Sequence, residues 1–436
     1  MSDYMFMLES HLSADQNRVL EQVQAAAGAA GVTLFLTGGG MRDMLGGFQI
    51  RDLDFSVEGP ALKVARTLEQ DAGAKITSLD ENRRSAELVF AGGVTAQVAM
   101  SRKERYAKSG AKPQVTPATI QEDLRGRDFT INAMALSLNR ASRGLLLDPT
   151  NGLADLGHRE MRTTHPYVFY DDPARLLRLV RLRVRLAFTV AERTKMQYDN
   201  AREAHLENLI TPRTLFEELK HISEEPSPAE VIRTLEEDGL LALFSPALAG
   251  AKTNLPALAR WEKAEKLVQG AHPIPAPKFA PFLHALTGKL TPKEKAGLIK
   301  AAEITKAEID LWRNLEPRAK KLEQALKSPR VRKPSHVYQI LVDAPGDELA
   351  FLLSNSALRV VQDRVRNYLQ KYLPAMQETP QADWDAVEGQ PGTPKYNKNR
   401  QALAAARLDV RQPKPPEPEP VVAPVVEVAG RGRFGK

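Results

Sequence analysis

The sequence predicts an α+β chain in which every strand lies in the first third. Short β-rich runs broken by glycine occur between residues 32 and 100, whereas beyond residue 170 apolar residues recur almost throughout at helical spacing. The last stretch, "PKPPEPEPVVAPVVEVAGRGRFGK" (413–436), mixes proline, glycine and alternating charge and reads as disordered. The expected organisation is a mixed α/β head (1–150), a helical neck (151–270), a helical body (271–410) and a Pro-rich tail (411–436).

The elements follow in order. Ser13 is placed to cap a helix carrying Val19, Leu20 and Val23 on one face. "VTLFL" (32–36) reads as a strand ended by "GGG", and a helix is expected to begin near Met41. "LDFSV" (53–57) reads as a second strand, and Pro60 suits the first turn of the next helix. "AELVF" (86–90) and "VTAQVAM" (94–100) read as a hairpin across Gly92 and Gly93. "DPARLLRLVRLRVRLAF" (172–188), "TLFEELKHI" (214–222) and much of 281–373 read as helices, separated by a Pro-rich bend at "GAHPIPAPKFAP" (270–281).

Composition narrows the chemistry. The chain has 436 residues, 61 Lys+Arg against 54 Asp+Glu, and a net charge of +7, which permits a polyanionic partner without requiring one. It contains no Cys, which excludes disulfides, thiolate metal sites and Cys nucleophiles and fits a reducing cytoplasm. No stretch reaches the ~18–20 apolar residues that span a bilayer, so no membrane partner is expected and the chain reads as soluble and cytoplasmic. The eight His form no cluster with metal-ligand spacing.

Chemistry concentrates in "TGGGMRDMLGGFQIRDLDF" (37–55). Side chains two apart on a strand share a face, so Asp52 and Asp54 aim together while Leu53, Phe55 and Val57 face the core. Two adjacent carboxylates repel, and a divalent cation between them relieves the repulsion. Mg²⁺ takes one or two carboxylates and completes its shell with water and substrate phosphates. Gly38 and Gly39 let backbone N–H groups approach an anion at a helix N-terminus, with Arg42 one turn on. A turn with two solvated aspartates is the plain alternative; the surrounding strand–glycine–helix–strand pattern favours a triphosphate beside a metal.

"GGGMRDMLGGFQIRDLD" resembles the G-G-x-V-R-D-x-L-L-G-x-x-x-x-D-x-D motif of the class II tRNA nucleotidyltransferase and bacterial poly(A) polymerase family, with Met41 for Val and Gly46 for Leu. The resemblance implies a polymerase-β-like nucleotidyltransferase head, two Mg²⁺ ions on Asp52 and Asp54, and nucleotide contacts from Gly39 and Arg42. "EDLRGRDFTINAMAL" (122–136) is similar to the family's second block and implies that Arg127 and Asp128 contact the incoming nucleotide and its ribose; Gly126 stands where that block has a first Arg. "DPTNGLADLGHREMRTT" (148–164) resembles the connection from head to neck, with Asp155 structural.

"DDPARLLRLVRLRVRLAF" (171–188) resembles the family helix that selects the base. Asp172 offers acceptors and Arg175 donors, three residues apart on one expected helix face, which complements the Watson–Crick edges of C and A. The resemblance assigns nucleotide contacts to Arg178 and Arg181 as well. Leu176, Val180, Val184 and Phe188 form the expected core stripe of the same helix, and Arg213 and Glu218 of "ITPRTLFEELKHI" (210–222) are expected to brace the neck.

Besides Gly126, two further departures bear on activity. Gln97 stands where the family has Asp or Glu, and the 102–121 loop, which in the family helps switch from C to A, lacks the usual Arg. The reading is a template-independent enzyme adding CCA to tRNA 3′ ends from CTP and ATP, by attack of the 3′-hydroxyl on the α-phosphorus with release of pyrophosphate. Poly(A) polymerase and partial CC or A addition share the same motifs, and a non-catalytic RNA-binding protein on this scaffold is the different-class alternative. "RAKKLEQALK" (318–327) and "PRVRKP" (329–334) read equally as tRNA-backbone contacts or as solvated surface.

Overall fold

A computed structural model describes residues 3–270, 276–390 and 393–409. The middle of the expected Pro-rich bend and the Pro-rich tail lie outside the described residues. Among the described residues no helix is long and apolar enough to cross a membrane.

Two helices, α1 (Asp3–His11) and α2 (Ala14–Ala30), precede the head sheet. Ser13 caps α2 in a full capping box with Gln16, as its sequence position predicts. The head strands are β1 (Thr33–Thr37), β2 (Leu53–Glu58), β3 (Lys75–Asp80), β4 (Ser85–Val89), β5 (Thr95–Met100), a separate hairpin of β6 (Arg102–Arg105) and β7 (Gln114–Pro117), then β8 (Ala135–Ser137) and β9 (Leu146–Leu147). Contrary to the expectation that strands end with the first third, Glu160–Met161 and Thr189–Val190 form a short parallel pair in the neck. The seven-stranded sheet runs β3-β4-β5-β2-β1-β8-β9. β2 and β5 are parallel and the other neighbours antiparallel.

Leu53, Phe55 and Val57 of β2 point to one face and join Val19, Leu20 and Val23 of α2 and Val64 and Leu68 of α4 (Ala61–Asp71) in the head core. The alternation therefore puts Asp54 and Ser56 on the opposite face, which also carries Phe35 in a small apolar cluster with Ile120 and Leu124. Pro60 is the N-cap of α4, one position before the expected first turn.

Helix α3 (Gly38–Leu45) starts three residues earlier than expected, so the glycines form its first turn rather than a loop before it. Gly38 adopts φ +64°, a left-handed conformation that favours glycine. After α5 (Ile120–Arg125), α6 (Gly152–His158) and α7 (Val168–Asp171) comes α8 (Arg175–Leu186). Helix α8 is wedged between two cores rather than resting one stripe on one. Leu176, Leu179, Leu182 and Phe188 pack with Phe129, Met134 and Phe169, whereas Leu177 and Val180 pack with Leu215, Leu219 and Ile222 of α10 (Pro212–Glu224), which follows α9 (Glu192–Glu203). The remaining face of α8 carries Arg178, Arg181 and Arg185.

Beyond α10 the chain is helical, and one continuous apolar core runs from Ala174 to Ala404. Phe279, Ala280 and Pro281, expected within the bend, are buried in a helix spanning Phe279–Leu286.

Candidate active site

The face of the sheet that carries Asp54 gathers the first group of predicted residues. The N–H of Gly39 donates to Asp54 Oδ2 at 3.1 Å, which ties the first turn of α3 to β2. A Cβ on Gly38 would lie 2.9 Å from Asp54 Oδ2 and 3.4 Å from Arg127 Nη1, and one on Gly39 would lie 3.4 Å from Arg42 Nη2. Space as well as backbone conformation therefore requires glycine at 38.

Asp52 immediately precedes β2 and is exposed, and it accepts a 2.5 Å hydrogen bond from Thr95 Oγ1. Burial, then the like charge of Asp52, push the Asp54 carboxyl above its usual range against the opposing pull of Arg127, the Gly39 N–H and Arg42. A buried carboxylate whose ionisation is opposed by a neighbouring carboxylate offers, with that neighbour, the donor set a hard divalent cation satisfies. Gln97 lies opposite Asp54 in the β2/β5 pairing. Among the described residues no group of three or more His, Cys, Asp or Glu is disposed to hold a metal, so the protein would supply two carboxylates and leave other positions to water and substrate oxygens.

Two arginines back this face. Arg127 donates through Nη2 to Ser56 Oγ (2.9 Å), Thr37 Oγ1 (3.3 Å) and Asp123 Oδ2 (2.7 Å), which fixes it beside Asp54. Arg42 is buried under the glycine turn, donating to Asp43 Oδ1 (2.7 Å) and Asn132 Oδ1 (2.7 Å). Asp128 is also turned inward. Its Oδ1 accepts from the Phe129 N–H (2.7 Å) and Asn132 Nδ2 (3.0 Å), and its Oδ2 accepts from Arg178 Nη1 (3.0 Å). Burial opposes its ionisation, but Arg178 and Arg175 outweigh burial and hold its pKa at about 2.

Asp172 and Arg175 do meet, with a 3.8 Å approach, but not on a helix face. Asp172 is extended and lies before α8, where its Oδ1 accepts from the Ala174 N–H at 3.1 Å. Pro173 follows it, and a residue before proline is biased away from helical conformation. Arg175 is held from below, donating to the carbonyls of Val168 and Gly126 at 3.4 Å each. Gly126 thus contributes its backbone, although a Cβ there would meet only ordinary contacts of 3.5 Å or more.

Arg181 is committed to two glutamates: Nε donates to Glu218 Oε2 (3.1 Å) and Nη1 to Glu225 Oε1 (2.8 Å). Glu218 is buried and braces the neck as expected, whereas Arg213 is exposed and pairs with Glu217 at i,i+4. The structure therefore brings Gly38, Gly39, Asp52, Asp54 and Arg127 together, places Arg42 behind them, and sets Asp172 with Arg175 at the start of α8. Asp128, which is buried, and the partly buried Arg178 and Arg181 form the ion-paired scaffold between.

Sequence reading missed several partners. Asn132 bridges Asp128 to Arg42, and Thr95 and Ser56 hold Asp52 and Arg127. Only Asp123, four residues before Arg127 at a helix end, left a spacing signal.

Residues 34–162 match the poly(A) polymerase head domain family. An A-adding tRNA nucleotidyltransferase from Halalkalibacterium halodurans is 32% identical over 364 residues, 81% of this chain and 80% of that one. A CC-adding tRNA nucleotidyltransferase from Deinococcus radiodurans is 33% identical over 247 residues, 57% of this chain and 62% of that one. The solved structure of a CCA-adding enzyme in its apo form II superposes with a TM-score of 0.54 at 24% identity, covering 92% of this chain and 95% of that one, which shows the shared fold.

Proposed function

On the premise that this chain belongs to the tRNA nucleotidyltransferase family and is an enzyme of that class, we propose that it transfers nucleotides from ATP or CTP to the 3′-hydroxyl of tRNA without a template. The observation that supports this most is the shared Gly39–Asp54 contact, which puts an anion-accommodating helix start and a carboxylate pair at one point. Asp52 and Asp54 would hold Mg²⁺. When bound, the metal supplies Lewis acidity toward the attacking hydroxyl and the triphosphate.

The chain's own groups take the remaining roles. The positive end of the α3 dipole favours the triphosphate, the Gly39 N–H being donated to Asp54, with the fixed charges of Arg127 and Arg42 behind it. Asp172 and Arg175 present acceptors and donors to the base edge. Asp128 acts as a positioning residue by holding Arg178 and Asn132, because its side chain is buried and three of its acceptor sites are already filled from within the protein.

Of the alternatives, addition of the terminal A is favoured, because the A-adding relative matches four fifths of the chain. Full CCA addition is the second reading, since the Asp172–Arg175 pair complements C as well as A. The assay uses purified protein, Mg²⁺ and two tRNAs, one lacking only the terminal A and one lacking the whole 3′ triplet. A addition predicts one A on the first and nothing on the second with CTP. CCA addition predicts two C and one A on the second. Long A tails on unrelated RNA would point instead to a poly(A) polymerase, and no incorporation to an RNA-binding protein.

A further inference from the structure

The charges around the site close into a ring. From Arg42 it passes to Asp43 Oδ1 (2.7 Å), and Asp43 Oδ2 accepts from Arg185 Nη2 (2.7 Å) on the last turn of α8. Arg185 Nε lies 3.9 Å from Glu225 Oε2, and Glu225 binds Arg181 at 2.8 Å, which binds Glu218 at 3.1 Å. Glu218 lies 3.8 Å from Arg178, Arg178 binds Asp128 at 3.0 Å, and Asn132 returns the path to Arg42 at 2.7 Å. Four arginines face four carboxylates, so the ring is neutral; the four carboxylates and Arg42 are buried, and Arg178, Arg181 and Arg185 are partly buried.

The ring is not uniform. Asp43 is 3% exposed and shares its two oxygens between Arg42 and Arg185. It can therefore hold Arg42 in one place only if its second oxygen is also held, and Arg185 is its one cationic partner from the neck. Arg42 Nη2 in turn lies 3.4 Å from the position a Cβ on Gly39 would take, directly under the glycine turn. The Arg185–Glu225 approach at 3.9 Å is the ring's longest edge and too long for a hydrogen bond.

We propose that Arg185 is a positioning residue for the nucleotide's triphosphate, acting through Asp43 on Arg42. This rests on the nucleotidyl-transfer reading above and extends it, because it makes a neck residue set the charge beneath the head's anion site. Loss of Arg185 frees Asp43 Oδ2, lets the carboxylate turn and releases Arg42 from beneath Gly39. The base-reading pair at the other end of α8 keeps its own partners, so affinity should fall equally for every nucleotide.

The test uses the full-length protein with Arg185→Gln, Arg185→Lys and Glu225→Gln. Calorimetry measures binding of magnesium tripolyphosphate, kinetics give KM and kcat for ATP and CTP, and thermal unfolding reports folding. Arg185→Gln should weaken tripolyphosphate binding and raise KM for incorporated nucleotides about tenfold, one charge-assisted contact's worth, with kcat and any ATP-to-CTP preference unchanged. Because only Nη2 reaches Asp43 Oδ2, Lys should restore binding to within about twofold, and Glu225→Gln should stay equally close to wild type. Unchanged tripolyphosphate affinity in a folded Arg185→Gln protein would overturn the proposal. So would an equal loss in Glu225→Gln, which would make the ring a fold element without a directed path. If Gln at 185 prevents folding, Lys still decides: binding as weak as that of an Asp43→Asn protein, at native unfolding temperature, would overturn it. A wild-type protein that neither binds tripolyphosphate nor extends tRNA would instead overturn the functional reading beneath it.

Discussion

Replacing Gly38 by Ala adds one methyl group and separates a functional glycine from an ordinary one. Its φ of +64° places any L side chain in the left-handed region, which costs ~1–2 kcal/mol for a non-glycine residue. The added Cβ would also stand 2.9 Å from Asp54 Oδ2, so the carboxylate must move and its 3.1 Å bond from the Gly39 N–H stretches or breaks. Losing that bond adds ~1 kcal/mol, for a total destabilisation of about 2–3 kcal/mol. The effect on activity should be comparable, about 10²-fold, because the carboxylate proposed to hold the metal is displaced from its working geometry, and the Mg²⁺ requirement should rise with it. Gly28 is the control. It lies inside α2 with nothing within 4 Å of a built Cβ, so Gly28→Ala should stabilise the protein by ~0.5–1 kcal/mol and leave activity alone. Denaturant unfolding and single-turnover tRNA extension at varied Mg²⁺ measure both. A Gly38→Ala enzyme with activity within threefold of wild type would refute the placement of Asp54 at the reaction centre.

Further outcomes follow from the charges. Asp128, normally near 3.8, is held at about 2 in the folded state. Its contribution, on the order of 2 kcal/mol, is therefore present above pH ~4 and lost as the pH falls toward 2; Asp128→Asn should remove that part of the acid transition in pH-dependent denaturation. Glu265 behaves oppositely: burial raises it from 4.5 to about 7, with Lys278 and the Gln269 side chain opposing the rise and Glu224 and Asp347 adding to it. Its cost to stability appears as the pH rises from 4.5 through 7, so Glu265→Gln should stabilise the protein by ~2–3 kcal/mol at pH 8 and hardly at all at pH 4. Asp172→Asn keeps an acceptor for the Ala174 N–H but, on the proposed base-reading role of Asp172, swaps one acceptor toward the base for a donor. The ATP-to-CTP preference should shift by about 10–100-fold, the cost of one mispaired group, with the unfolding temperature unchanged.

Much of the site was legible because its chemistry is local in sequence. The i, i+2 spacing of Asp52 and Asp54, the glycines one helix start away, and the apolar alternation of Leu53, Phe55 and Val57 depend only on strand period and backbone freedom. The Ser13 cap and the 86–100 hairpin were readable for the same reason. What escaped was non-local. Nothing in the spacing of the α8 arginines distinguishes a solvated stripe from one zipped to Glu218 and Glu225 some forty residues on. Asp43 and Arg185, 142 positions apart, meet only because α8 is wedged between two cores. The helix assigned to Asp172 failed on a local rule, the constraint that Pro173 places on its predecessor. β3 was missed because it is a largely exposed edge strand without the alternation that marks a buried one.

The central claim is that Asp52 and Asp54 are the metal-binding pair of a nucleotidyl transfer to tRNA. The direct measurement compares wild-type protein with Asp52→Ala/Asp54→Ala in extending tRNA that lacks its terminal A, with ATP and Mg²⁺, while circular dichroism monitors the fold. One A added by wild type and none by a correctly folded variant is the predicted result. Extension by the variant at a rate near wild type, or no extension by wild type on this tRNA or on one lacking the whole triplet, would contradict it.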